Sequence, residues 1–112
     1  IRLEDAKILI VGVTYKKDVK DLRESPALEI IELLNKKAKR VDFFDPLIPY
    51  LKINNIDQKG IKLNEKKLKM YNCVIIVTDH SNIDYNFLRE NSKFIFDTRN
   101  VYKKNYPNVI RL

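Results

Sequence analysis

Four residues able to hold an anion or move a proton stand just after apolar runs. Lys16 and Arg23 follow Lys7-Ile8-Leu9-Ile10-Val11-Gly12-Val13, His80 follows Cys73-Val74-Ile75-Ile76-Val77-Thr78, and Arg99 follows Lys93-Phe94-Ile95-Phe96. A lysine sets a point charge against a diphosphate, and a guanidinium offers paired donors to phosphate or carbonyl oxygens. Each residue also has a plainer reading. Lys16 is one of many surface lysines, Arg23 can pair with Asp21 or Glu24, Arg99 can pair with Asp97, and His80 can cap a loop. Asp45 reads as a strand-end turn residue. A single His and a single Cys make no metal cluster. Cys73 opens an apolar run, where a free thiol is commonly buried and inert.

Phosphate-cradling glycine motifs are missing. A dinucleotide fingerprint needs a glycine trio after a strand, and this chain has only Gly12 and Gly60. The absence also weakens Asp45 as a ribose ligand at the end of a second strand. The glycine-lysine loop of nucleotide triphosphatases is absent too.

The elements that must position these residues alternate between strand and helix. Continuous apolar runs suit strands covered on both faces, and they predict strands over Lys7–Val13, Arg40–Phe44, Cys73–Thr78 and Lys93–Phe96. Ser25 before Pro26 reads as an N-cap and first helical residue, opening a helix to Lys37. Its Ala27, Ile30, Ile31, Leu34 and Ala38 form one apolar stripe, and Lys36 and Lys37 suit its negative end. Shorter helices are expected over Glu65–Met70 and, capped by Asp84, over Tyr85–Asn91. Phe87 and Leu88 face inward on the last of these. Leu47–Asn64 reads as loop with a short edge strand at most, Val109–Leu112 as a last edge strand, and Ile1–Ala6 as linker. The fold class is α/β, a Rossmann-like three-layer domain with a mostly parallel sheet and helices on both faces. In such a sheet the ends at Val13, Thr78 and Phe96 share one edge, which gathers Lys16, Arg23, His80 and Arg99. Ligands of open α/β sheets bind at that edge.

Size and composition fit one domain: 112 residues, 45% hydrophobic and 33% charged. The net charge of +7 is spread over interleaved cations and carboxylates, without a basic run carrying aromatics, which argues against nucleic acid. No apolar run approaches the roughly 20 residues of a membrane span, so no membrane partner is expected. No signal-peptide pattern opens the chain, and one Cys agrees with a cytoplasmic setting. The start at Ile1 reads as an excised piece of something longer.

Tyr15-Lys16-Lys17-Asp18 with Asp21-Leu22-Arg23-Glu24-Ser25-Pro26-Ala27, then Val41-Asp42-Phe43-Phe44-Asp45-Pro46, then Phe96-Asp97-Thr98-Arg99-Asn100, resembles the C-terminal domain of the UDP-glucose/GDP-mannose dehydrogenase family. Three ordered motifs over roughly residues 7 to 102 make the resemblance specific. It implies the nucleotide-sugar-binding domain (residues 1–112) of an NAD-dependent UDP-sugar 6-dehydrogenase. Such an enzyme oxidises a C6 alcohol to a carboxylate in two hydride transfers, through a thiohemiacetal and a thioester on a cysteine. That cysteine belongs to a glycine-rich motif in the preceding part of the enzyme, so this chain holds no catalytic residue and is inactive alone.

Carried over, the resemblance gives Tyr15, Lys16 and Arg99 to the UDP-sugar and Arg23 to NAD, which the missing N-terminal domain mainly binds. Expected partners are the N-terminal and central domains of the same enzyme, in a homo-oligomer. Leu28 after the Arg-Glu-Ser motif and Thr78-Asp79-His80 look most like members that use UDP-N-acetylglucosamine or UDP-N-acetylmannosamine, which feed surface polysaccharide synthesis. Two alternatives remain open: a stand-alone Rossmann-like nucleotide-binding module, and an oligomerisation module without catalysis.

Overall fold

The computed structural model describes residues 1–112. In chain order its elements are β1 (Lys7–Val11), α1 (Pro26–Asn35), β2 (Arg40–Phe44), β3 (Tyr50–Ile53), β4 (Ile56–Lys59), α2 (Glu65–Leu68), β5 (Cys73–Ile76), α3 (Tyr85–Asn91), β6 (Ile95–Asp97) and β7 (Val109–Arg111), after a 3-10 turn over Leu3–Asp5. Five strands form a sheet in the order β2-β1-β5-β6-β7, and every pairing in it is parallel. The chain leaves β1 for β2 on one side and returns to β5 on the other. The topological switch therefore falls between β1 and β5, where a crevice opens in such sheets.

Side chains of β1 alternate between two cores, as the period of a strand requires. Ile8 and Ile10 join Ala27, Leu28 and Ile31 of α1, while Leu9 and Val11 join Leu68, Val74, Leu88 and Ile95 on the opposite face. The central strand is thus apolar at nearly every position because both of its faces are covered. Helix α1 starts as its sequence predicts: Ser25 Oγ accepts the Ala27 N–H, with Pro26 behind it. It stops at Asn35, so Lys36 is its C-cap and neither Lys36 nor Lys37 lies in its last turn. Asp84 caps α3 through the Phe87 N–H, and Leu88 is its buried residue.

At the site edge β1 and β5 end two residues earlier than expected, while β6 runs one residue further, to Asp97. Gly12 turns the chain at φ 86, and a Cβ there would stand 2.2 Å from the Thr78 carbonyl oxygen. Only glycine allows that approach. Val13 stays buried, but its N–H leaves the ladder for a side chain of the next loop.

The largest difference from the sequence reading lies in residues 47–64. They hold a β-hairpin rather than a loop, with β3 and β4 antiparallel in a sheet of their own. Leu51 and Ile56 sink into the α1-side core. Asn54 turns the hairpin in the left-handed region at φ 54, which asparagine tolerates. Its neighbour Asn55 lies beside Asn35 and Lys36, at the end of α1 away from Ser25. The Gln58 amide donates to the Val41 carbonyl and the Ile61 N–H to that of Phe43, so this crossover also covers the free edge of β2. No helix is long and apolar enough to cross a membrane.

Candidate functional site

Three loops meet beyond the strand ends, and a buried polar knot holds them together. His80, fully buried, sits at its centre after β5. Its Nδ1 accepts the Asp18 N–H at 2.8 Å, so the proton belongs on Nε2. Nε2 lies 2.8 Å from Asp45 Oδ2 and 3.1 Å from Thr14 Oγ1. The Thr14 hydroxyl donates onward to the Lys16 carbonyl at 2.8 Å. Asp45, also buried, accepts the Val13 N–H on Oδ2 and the Leu47 N–H on Oδ1, both at 2.8 Å. The hydroxyl of Thr78 donates to the Thr14 carbonyl, and that of Ser25 to the Val13 carbonyl. The loops after β1, β2 and β5 are thereby joined in the switch-point crevice itself. Asp45 is a turn residue, as its place in the sequence suggests, and it is also the acceptor that anchors the knot.

Around the knot the backbone is strained. Asp18, Glu24 and Asn100 all have left-handed φ, at 61, 58 and 56. Such conformations cost energy and persist where the surroundings fix them. For Asp18 the surroundings are visible. Its N–H is on His80, and its carboxylate accepts the N–H of Ser81 at 2.8 Å and the Ser81 hydroxyl at 2.6 Å. Those bonds hold the Asp18 carboxyl below its usual range. Its Oδ1 is 3.8 Å from His80 Nδ1, which is proximity and not a bond.

Two hollows flank this arrangement. The first, about 710 Å³, is lined by Tyr15, Lys16, Val19, Asp21, Arg23 and Glu24. Tyr15 is 45% and Val19 47% exposed there. Arg23 is engaged: its Nε and Nη2 grip both oxygens of Asp21 at 2.9–3.3 Å. That grip lowers the Asp21 carboxyl to about 2 and raises the guanidinium further. The second hollow, about 300 Å³, is walled by Lys17, Asp79, Arg99, Asn100 and Lys103 among others. Arg99 does not pair with Asp97. Its Nε donates to the Val77 carbonyl at 2.8 Å, leaving both terminal nitrogens without a protein acceptor. Asp97 instead accepts the backbone N–H groups of Arg99 and Tyr102.

The edge therefore does bring the singled-out residues to one side of the sheet, but not into one cavity. Tyr15, Lys16 and Arg23 line the first hollow and Arg99 the second, with His80 bordering the latter but closed to solvent. Sequence reasoning passed over Lys17 and Lys103. Their adjacency to Lys16 and to the Arg99 motif was the available signal. Cys73 is far from all of these. It is half-buried at the start of β5, and burial pushes its thiol up, away from the reactive thiolate.

The geometry also bears on a dinucleotide. Pyrophosphate sits on free amides at a helix N-terminus. Here Ser25 takes the Ala27 and Leu28 N–H groups, and Gly12 packs against Thr78. That turn is closed by protein, so the residues present do not fit the body of NAD. No group of three or more His, Cys, Asp or Glu side chains is arranged to hold a metal.

Comparison with known proteins gives the relationship. The family model described as UDP-glucose/GDP-mannose dehydrogenase family, UDP binding domain, matches residues 9–104. The chain belongs to this family. The UDP-N-acetyl-D-mannosamine dehydrogenase of Methanococcus maripaludis is 29% identical over 107 residues, covering 88% of this chain and 24% of that protein. The enzyme of that name from Methanococcus aeolicus is 38% identical over 89 residues, covering 80% of this chain and 19% of that protein. Among solved structures, the UDP-D-ManNAc dehydrogenase of Pyrococcus horikoshii superposes with a TM-score of 0.76 at 26% identity, over 99% of this chain and 26% of its own. The chain thus spans about a fifth to a quarter of the length of these dehydrogenase-family relatives. The α/β, Rossmann-like architecture expected from the alternating strands and helices is the one the family shares.

Proposed function

We propose that this chain is the nucleotide-sugar-binding part of an NAD-dependent UDP-sugar 6-dehydrogenase. The reaction would convert a sugar C6 alcohol to a carboxylate, with NAD taking the hydrides. The observation that carries this reading is Arg99. Its guanidinium is fixed at one end by the Val77 carbonyl, its terminal nitrogens have no protein acceptor, and the residue lines a hollow with Lys17 and Lys103. A preset fork beside two ammonium groups suits a nucleoside diphosphate. Tyr15 and Lys16 would meet the ligand from the first hollow, so that it lies across the ridge Lys16–Asp18.

Arg23 would reach NAD bound mainly outside this chain, by exchanging its exposed Asp21 partner, since exposed pairs are weakly held. The sugar we propose is a UDP-N-acetylhexosamine, in keeping with the names of the relatives above. The remaining domains of the enzyme would be its partners, in a homo-oligomer in the cytoplasm.

Titration of UDP into the isotope-labelled chain tests the reading. Shifts should cluster at Tyr15, Lys16 and Arg99 with a dissociation constant on the order of millimolar, about −4 kcal/mol. Salt should weaken them, because the phosphates are partly exposed. Lys16→Ala and Arg99→Ala should each weaken binding roughly tenfold or more, and Arg23→Ala should leave it unchanged. Shifts centred on the β3–β4 hairpin, or none at high UDP, would remove the basis for a nucleotide site here.

A further inference from the structure

His80 is buried, titratable and unused by any step above. We infer that it is a positioning residue: its imidazole sets the course of the Tyr15–Asp18 segment and so aims Lys16 and Lys17. This rests on the proposed reading that the segment holds the nucleotide.

The geometry gives the ring two separate duties. Through Nδ1 it takes the Asp18 N–H at 2.8 Å. Through Nε2–H it reaches Asp45 at 2.8 Å and Thr14 at 3.1 Å, and Thr14 in turn holds the Lys16 carbonyl at 2.8 Å. Lys17 is therefore clamped between two fixed points, the Lys16 carbonyl before it and the Asp18 amide after it. Asp18 is held at φ 61 by these bonds together with those to Ser81. A segment without its own secondary structure takes its shape from such bonds. Both ring nitrogens are occupied and the ring is closed to solvent, so His80 has no lone pair or proton to offer a ligand.

Two substitutions separate the duties. The Oδ1 of asparagine reproduces the Nδ1 acceptor, so His80→Asn keeps the Asp18 bond and loses the Asp45 bond. The Nε2 of glutamine reproduces the distal donor, so His80→Gln keeps the Asp45 bond and loses the Asp18 bond. Amide hydrogen exchange at Asp18 of the unliganded chain reads the result. His80→Gln should accelerate it roughly tenfold, the loss of one hydrogen bond, while His80→Asn stays within about twofold of the parent.

Equal acceleration in both variants, or none in either, would overturn the inference. The unsubstituted chain offers a check that needs no variant: imidazole nitrogen shifts should show Nδ1 bare and Nε2 protonated, and the reverse tautomer would also overturn it. UDP titrations of the same samples keep the two readings apart. If the exchange split appears but the parent shows no UDP response, the positioning role stands and the nucleotide reading falls.

Discussion

Asp45 Oδ2 lies 2.8 Å from His80 Nε2, with both side chains sealed from solvent, although 35 residues separate them in the chain. Asp45 also accepts the amides of Val13 and Leu47. Asp45→Ala would strand the Val13 and Leu47 amides and leave His80 Nε2–H only the longer contact to Thr14. A buried donor left unsatisfied costs about 1–3 kcal/mol, and water entering the vacated space offsets part of the sum. Urea unfolding followed by circular dichroism should show a loss of about 3 kcal/mol. A change below about 1 kcal/mol would mean that the knot contributes little to folding.

Gly12 gives a second test of the same edge. Any side chain there must adopt φ 86 and meet the Thr78 carbonyl at 2.2 Å. Gly12→Ala should cost about 3 kcal/mol or more, because neither the left-handed backbone nor the adjacent strand can yield cheaply. Thermal unfolding measures this. Gly60→Ala has no left-handed backbone to maintain and should be milder.

The Arg23–Asp21 pair predicts behaviour in acid. The folded Asp21 carboxyl is depressed to about 2 from an ordinary 3.8. A depressed carboxyl lends order above its unfolded value and loses it as pH falls through the folded one. The pair should hold at pH 4 and come apart on approach to pH 2. A carbon-detected titration of Asp21 should have its midpoint near 2, and Arg23→Ala should return it toward 3.8. Because both groups are exposed, high salt should move the midpoint up.

NADH should not form when the purified 112-residue chain is given NAD and UDP-sugars. The α1 turn is closed to a pyrophosphate, and the thiol of Cys73 is pushed up by burial. In an enzyme containing this sequence, Cys73→Ser should keep turnover within a few-fold. Turnover by the chain alone would require a nucleophile and a cofactor site that this reading does not provide.

Much of the fold could be read in advance because it depends on neighbours in sequence. The runs Ile8–Val11 and Val74–Ile76 announce buried strands, and Ser25-Pro26 and Asp84 mark helix starts to the residue. The β3–β4 hairpin was missed because its strands are four residues each and half polar. Asn54-Asn55 between Leu51-Lys52-Ile53 and Ile56-Asp57-Gln58 was the available turn signal. The candidate site divides the same way. Arg23 finds Asp21 two residues away, a pairing visible in the sequence. His80 takes its meaning from Thr14, Asp18 and Asp45, each more than thirty positions distant, and no local pattern reports such a closure.

The hairpin tip offers a practical handle. Helix α1 runs about 15 Å from Ser25 at the loop edge to Asn35. Asn54 and Asn55 are exposed, and Asn55 lies at its distal end. A dye, spin label or short epitope grafted between them would project from the back of the molecule. It would report on tumbling and docking of the whole body while leaving the Tyr15–Asp18 face clear, which labels on the abundant lysines of that face could not do.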